Sequence, residues 1–302
     1  MPFGSVALND GYSIPAIAYG TGSTMKGRDV TEYVEQALES GFSHIDTAQV
    51  YGTEESTGKA IKESGLHRSD LFVTSKYLRG DIQQVIRDSL SKLGLEYLDL
   101  YLIHSPQFIH NMQETWTEFE KIKETGLSRS IGVSNFNVEH LESLIKVARI
   151  KPSVNQILLH PYNYKEMKPV LQFAKKNNIV IEAYSTLTPI TKFPGGPVDE
   201  PVFSAAARRR GVKPSQILLA WARAKGAVVV TTSRSKQHLQ EYLSSADIKP
   251  LTDEEIAAID AAGEKNPESS ISQSKQLKEI AGIILRIVLL FIMTFILFRQ
   301  WI

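Results

Sequence analysis

Four side chains in this sequence, Asp46, Tyr51, Lys76 and His104, have the types needed for proton transfer to a developing oxyanion. Asp46 closes a short apolar run, Phe42 to Ile45, inside the stretch Gly41 to Gly52, GFSHIDTAQVYG; Tyr51 follows on the next turn. A carboxylate at the end of a buried strand must be paired to be tolerated. Lys76 is the candidate partner. A tyrosine titrates near pH 10, and a neighbouring ammonium favours its phenolate, so Lys76 is expected to lower the Tyr51 pKa. Asp46 would keep Lys76 charged and in place. His104 would hydrogen-bond at the same oxygen position or shuttle the proton. Together they form a general-acid device aimed at a developing alkoxide, the chemistry of carbonyl reduction. Taken singly, Lys76 could be a surface lysine at a strand end and His104 a satisfied core histidine.

Such a group needs a scaffold that brings distant strand ends together. Short apolar runs recur at Ala16–Tyr19, Phe42–Ile45, Leu71–Thr74, Leu98–Ile103, Arg129–Val133, Ser153–Ile157, Ile179–Ala183 and Ala227–Val230. Amphipathic runs lie between them, among them Asp29–Glu39, Glu54–Ser64, Asp81–Leu93, Asn111–Glu124, Val138–Val147, Lys165–Asn177 and Pro214–Ala224. Glycines at 41, 65, 94, 126 and 226 stand where helices end, as a left-handed cap requires. Val6 to Tyr19 reads as a hairpin turning at Asn9-Asp10-Gly11. Eight strand–helix units over about 250 residues predict a (β/α)8 TIM barrel with an N-terminal β-hairpin. A doubly wound sheet is the alternative, but no G-x-G-x-x-G follows the first strand.

In a barrel the C-terminal strand ends share one site. Those ends carry Gly20 and Thr21, Asp46, Lys76, His104, Ser134 and Asn135, Gln156, Tyr184 and Ser185, then Thr232 and Ser233.

Composition narrows the rest. The 302 residues are 22% charged with net charge +1, which argues against nucleic acid as a main partner. No cysteine is present, so disulfides and thiolate metal sites are impossible, and no metal is implied. The N-terminus has no basic region followed by an apolar run, so it is not read as a secretory signal. Ile280 to Phe298 is almost wholly apolar, and at ~1.5 Å per residue a helix of that length spans roughly 30 Å of hydrocarbon. The alternatives are a buried helix of the globular domain or a partner-binding helix.

The expected organisation is a barrel over residues 1–265, a polar linker over 266–279, and a C-terminal transmembrane anchor over 280–302. Lys275, Lys278 and Arg286 suggest a single pass with the barrel cytosolic, at the endoplasmic reticulum in preference to the mitochondrial outer membrane. A membrane-held enzyme of this kind is expected to meet lipophilic carbonyls.

The segments HIDTAQVYG, LFVTSK, LDLYLIHSP, SRSIGVSNF, VNQ and EAYS, in that order, resemble the aldo-keto reductase superfamily, as a fungal-type member with an added anchor. The resemblance covers about Phe3 to Asn266. It implies NADP(H) bound across the barrel top without a Rossmann motif, and a small carbonyl compound as substrate. Tyr51 would be the general acid/base, Asp46 and Lys76 its pKa partners, and His104 the group that orients substrate. Ser134, Asn135 and Gln156 would hold the nicotinamide carboxamide and Tyr184 would stack on its ring. Ser185 and Leu187 would line the pyrophosphate; Gly20, Thr21 and Asp46 complete the cofactor side.

At the adenosine end, Ser233 and Glu241 match the family pattern, whereas Thr232 replaces a lysine, His238 an arginine and Tyr242 an asparagine. Arg234, Lys236 and His238 are the candidate replacements for a phosphate site. Leu158 stands where many relatives carry glutamate, and the loop through Gly195-Gly196-Pro197 is this chain's own. Gly22, Tyr77, Gln107 and Phe108, with Tyr51 and His104, are expected to line the substrate pocket, and Gly22 and Gln107 to leave it roomier or more polar. Some members of the superfamily act as cofactor-sensing subunits of membrane proteins, which is the second reading.

Overall fold

The computed structural model describes residues 3–267. A hairpin of β1 (Ser5–Ala7) and β2 (Ser13–Pro15) opens the chain, and eight parallel strands then close into a barrel. They are β3 (Ile17–Gly20), β4 (His44–Asp46), β5 (Phe72–Tyr77), β6 (Leu98–Ile103), β7 (Ser128–Ser134), β8 (Val154–Leu158), β9 (Val180–Tyr184) and β10 (Val228–Thr231), with β10 pairing back to β3. The sequence expectation for barrel and hairpin holds, with one boundary moved. The hairpin's second arm stops at Pro15, and the residues after Ala16 belong to the barrel.

Helices alternate with the strands: α1 (Thr31–Ser40), α2 (Glu54–Glu63), α3 (Ile82–Leu93), α4 (Met112–Glu124), α5 (Val138–Val147) and α6 (Tyr164–Lys176). After β9 come α7 (Thr188–Lys192), α8 (Asp199–Ala207) and α9 (Pro214–Ala224); α10 (Lys236–Ser244) and α11 (Asp253–Gly263) follow β10. Start signals are local. Asp81 and Asn111 accept from the backbone N–H groups of Gln84 and Glu114, and Thr252 forms a capping box with Glu255. Gly41, Gly94 and Gly226 take positive φ (109°, 67° and 82°) just past α1, α3 and α9, as the cap glycines require. The loop through Gly195–Pro197 is not bare: α7 and α8 flank it.

Side chains alternate in and out along each strand. Alternate positions therefore build the barrel interior in layers, and these layers change in character from bottom to top. At the bottom Phe72, Leu100, Leu102, Val154 and Val228 form an apolar cluster of their own, which the hairpin's Leu8 and Ile14 plug. Asp10 ties this plug down by accepting from Lys123 (2.7 Å) and Ser153 (3.0 Å). Toward the C-terminal end the interior turns polar on several strands: His44, then Asp46; Thr74, then Lys76; and on β8 and β9, Gln156 and Glu182. The larger core packs the outward faces of the strands against the helices.

Among the described residues no helix is long and apolar enough to cross a membrane. The expected anchor, 280–302, and all but the first two residues of the expected linker, 266–279, lie outside the described residues.

Candidate active site

The polar layers open into a cavity of about 640 Å³ at the C-terminal end of the barrel. Its walls include Gly20, Gly22, Asp46, Tyr51 and His104 on one side and Ser134, Asn135, Gln156, Tyr184, Ser185 and Leu187 on the other. Lys76 lies beneath, fully buried. Its ammonium donates to Asp46 Oδ1 (2.6 Å) and to the Thr47 carbonyl (2.9 Å). An ammonium has three donors. Two are committed, which leaves the third for the Tyr51 hydroxyl beside it. Lys76 Nζ is 5.0 Å from the Tyr51 ring centroid, and the Tyr51 and His104 rings meet edge to face at 5.5 Å.

The electrostatics differ from the sequence expectation in one respect. Lys76 does pull the Tyr51 pKa down, but burial outweighs it, and the phenol lies above its usual value. Tyr51 is thus a protonated donor at neutral pH. For Lys76, burial works against the charge, but Asp46, Tyr51 and Glu182 overcome it and raise the ammonium above its ordinary range. Burial, then the charges of Lys76 and Lys26, hold His104 down at about 3, so its imidazole is neutral.

These values predict a pH profile of stability. His44 is also held near 3 by burial and His160 near 4, against the usual 6.5. As pH falls through 6.5 the unfolded chain takes up protons on three histidines that the folded protein leaves bare, so stability falls. Glu182 acts oppositely: burial and Asp46 raise it from 4.5 to about 8, so the folded protein holds a proton there that the unfolded chain has released. Its contribution falls as pH rises between those values. Stability is expected to peak at about pH 7 and to fall more steeply on the acid side. Denaturant titrations at pH 5, 7 and 8.5 check this; a midpoint independent of pH contradicts it.

The cofactor-side residues hold one another. Ser134 Oγ donates to the Gln156 carbonyl (2.8 Å) and Tyr184 OH to Asn135 Oδ1 (2.8 Å); Asn135 Nδ2 donates to the His104 carbonyl (3.0 Å). Asn135 (φ 63°) and Ser185 (φ 60°) both take left-handed backbone, which costs a non-glycine residue energy and is retained mainly where the surroundings enforce it. The Thr186 hydroxyl and His104 Nδ1 are buried, without partners among the described residues, and both residues line the cavity. A cavity with unpartnered polar atoms and an amide-rich shelf suits a polar, planar ligand group.

Other expected site residues lie elsewhere. Thr21 sits behind the wall, its hydroxyl bonded to Thr53 (2.9 Å). Tyr77 is buried with its hydroxyl on the Gly80 carbonyl (2.8 Å), and it does not line the cavity. Tyr77 is one residue past Lys76, and the strand period turns it outward. Gln107 and Phe108 occupy a short turn, Pro106–Phe108, exposed outside the lining. At the adenosine end Thr232 lines the main cavity, whereas Ser233, Arg234 and His238 form a separate hollow with Tyr33 and Ser235. Lys236 is bonded to Glu39 (3.0 Å) and Glu241 is in neither space.

Gly22 does not open the pocket as its size alone suggests. A Cβ there would lie 2.9 Å from the Tyr51 ring and 3.2 Å from its hydroxyl. Gly22→Ala is therefore expected to shift Tyr51 and to lower kcat/KM about ten- to a hundred-fold. The melting temperature should stay within a degree or two, because a side-chain tip is what must yield. Steady-state kinetics beside a thermal melt check this.

Sequence reasoning missed Lys26, Glu182 and the threonines of α7. Lys26 lines the cavity with its ammonium 5.5 Å from the Tyr51 ring centroid. No local pattern points to it. Glu182 had a signal, since it stands two residues before Tyr184 on the same strand and so faces the same interior.

Residues 3–192 and 198–264 match the sequence profile described as the Aldo/keto reductase family. The NAD/NADP-dependent indole-3-acetaldehyde reductase of Schizosaccharomyces pombe is 41% identical over 247 residues, 78% of this chain and 87% of that protein. The glyoxal reductase of Bacillus subtilis is 36% identical over 263 residues, 85% of this chain and 92% of that one. Among solved structures, the Bombyx mori aldo-keto reductase in complex with NADP superposes with a TM-score of 0.78 at 35% identity, over 86% of this chain and 92% of its own.

Proposed function

The chain belongs to the aldo/keto reductase family of oxidoreductases, and on that premise we propose that it reduces an aldehyde or ketone to the alcohol with NADPH, Tyr51 giving the proton. The observation that carries this reading is the buried Asp46–Lys76 pair set directly beneath Tyr51. Ser134, Asn135 and Gln156 would hold the nicotinamide carboxamide and Tyr184 would cover its ring, a reading supported by their shared place in the cavity wall. The reduced nicotinamide, when bound, supplies the hydride to the carbonyl carbon.

The chain's own residues do the rest. Tyr51 enters as a neutral phenol and donates its proton as charge builds on the carbonyl oxygen. The phenolate left behind is stabilised by the Lys76 ammonium, which Asp46 holds in position. His104, being neutral, orients the carbonyl through a hydrogen bond and adds no charge of its own. The low-dielectric floor of the cavity strengthens each of these interactions.

For the adenosine end we favour the hollow of Arg234 and His238 as the 2′-phosphate site, without the help of Lys236, which Glu39 holds. The S. pombe relative is named for both cofactors. A modest preference for NADPH over NADH is the reading that fits both facts. Fluorescence titration of the full chain with NADPH and NADH, followed by turnover on aldehydes and ketones, tests the proposal. Tight binding with turnover supports it. Tight binding without turnover on any carbonyl overturns the reductase reading, and the absence of binding overturns the cofactor assignment.

We further propose that residues 280–302 anchor the barrel to the endoplasmic reticulum membrane from its cytosolic side. The apolar run itself supports this, and an anchored barrel suits lipophilic carbonyls. Release of the full chain from membranes by high salt or carbonate, without detergent, would overturn the anchor.

A further inference from the structure

Glu182 has no part in the proton path just described, yet it is fully buried in the layer beneath the cavity. It pairs across the sheet with Gln156. The Gln156 amide nitrogen donates to Asp46 Oδ2 (2.9 Å) and to Glu182 Oε2 (2.8 Å). Both amide hydrogens thus go to carboxyl oxygens brought in from β4 and β9. Turning the amide over would set its oxygen against the Asp46 carboxylate that pairs with Lys76. Its carbonyl is left as the group it can offer to the cavity, which Gln156 lines. Glu182 is in turn confined. Its second oxygen is 3.7 Å from His44 Nε2, and that ring is bonded to Thr74 (2.9 Å).

We propose that Glu182 is a positioning residue that, with Asp46, grips the Gln156 amide so that an acceptor faces the cofactor. The chain thereby selects a dinucleotide whose pyridine ring carries a hydrogen-bond donor, the NH2 of a carboxamide. This rests on the NADPH reading above. Replacing that donor by a group that cannot donate leaves the Gln156 carbonyl unpaired in a buried place.

The probe is NADPH against its 3-acetylpyridine analogue, in which a methyl group replaces the NH2. Affinities of the full-length protein are read from tryptophan quenching. The native protein is expected to prefer NADPH about tenfold or more. Glu182→Leu removes one acceptor and frees the amide, so the preference should shrink to about twofold. Glu182→Gln keeps an acceptor oxygen at that place and should restore most of it.

A Glu182→Leu protein that is folded by circular dichroism and keeps the native preference overturns the proposal, as does a native protein that binds both dinucleotides equally. A native protein that binds neither fails the NADPH reading instead. If Glu182→Leu does not fold, Glu182→Gln decides through pH. The titratable groups facing Glu182 are Asp46 and His44 on β4, Lys76 on β5, Tyr51, and Tyr184 on its own strand. His44 is neutral above about 3, and burial or neighbouring charge raises Lys76, Tyr51 and Tyr184 above their usual values. The native preference should therefore bend between pH 7 and 9, where Glu182 titrates, and that of Glu182→Gln should stay flat. The same bend in both proteins overturns the proposal.

Discussion

Tyr51→Phe is expected to lower turnover by about a thousandfold or more while leaving NADPH affinity within a factor of about two. The reason is local. Only the hydroxyl is removed, and the ring that packs edge-on to His104 stays. His104 cannot replace the lost acid: its pKa of about 3 leaves it without a proton to spare at neutral pH. Lys76 is a weak substitute, since its pKa is raised and two of its donors are tied to Asp46 and Thr47. Single-turnover oxidation of bound NADPH separates the chemical step from binding. A Tyr51→Phe protein retaining a tenth of native turnover would mean that another group delivers the proton.

Lys76→Met should damage both stability and catalysis. The side chain is fully buried, and its removal strands the Asp46 carboxylate in the barrel interior with Gln156 as its remaining side-chain donor. Breaking one partner of such a pair costs about 3–5 kcal/mol, whereas replacing both with apolar groups often costs little. The single variant is expected to melt on the order of ten degrees lower. The double variant Asp46→Leu/Lys76→Met should recover part of that loss. It should recover no activity, because the phenolate of Tyr51 then has no cation beside it. Thermal melts of both single variants and the double, together with their turnover, form the cycle. A double variant no more stable than Lys76→Met would show that the pair's worth lies in packing and not in charge compensation.

The eight strands were legible because short apolar runs of near-uniform length alternate with runs of helical period, and the cap glycines mark the ends. Strand β6 and helices α5 and α9 were found to the residue. The helices between 188 and 207 were less legible, since α7 is a single turn and α8 has no strongly one-sided face. Asp46, Lys76, His104 and Tyr184 could be placed at the barrel top because each stands at the end of a strand-like run. Tyr77 was misplaced by one residue of strand period, and Gln107 and Phe108 by a turn whose direction no local pattern specifies.

By itself, then, the sequence determined the architecture and placed Asp46, Lys76, His104 and Gln156 at strand ends facing one site, though it left Glu182 of the polar floor unread. Tertiary structure alone decided how those groups behave. The direction of the Tyr51 shift depends on how completely neighbours from other strands exclude water, and burial there exceeds the pull of Lys76. The grip of Asp46 and Glu182 on Gln156 likewise joins positions 46, 156 and 182, which only closure of the barrel brings within hydrogen-bond reach. Hydrophobic period is a local property written along the chain. Desolvation and three-strand hydrogen bonding are properties of the closed barrel.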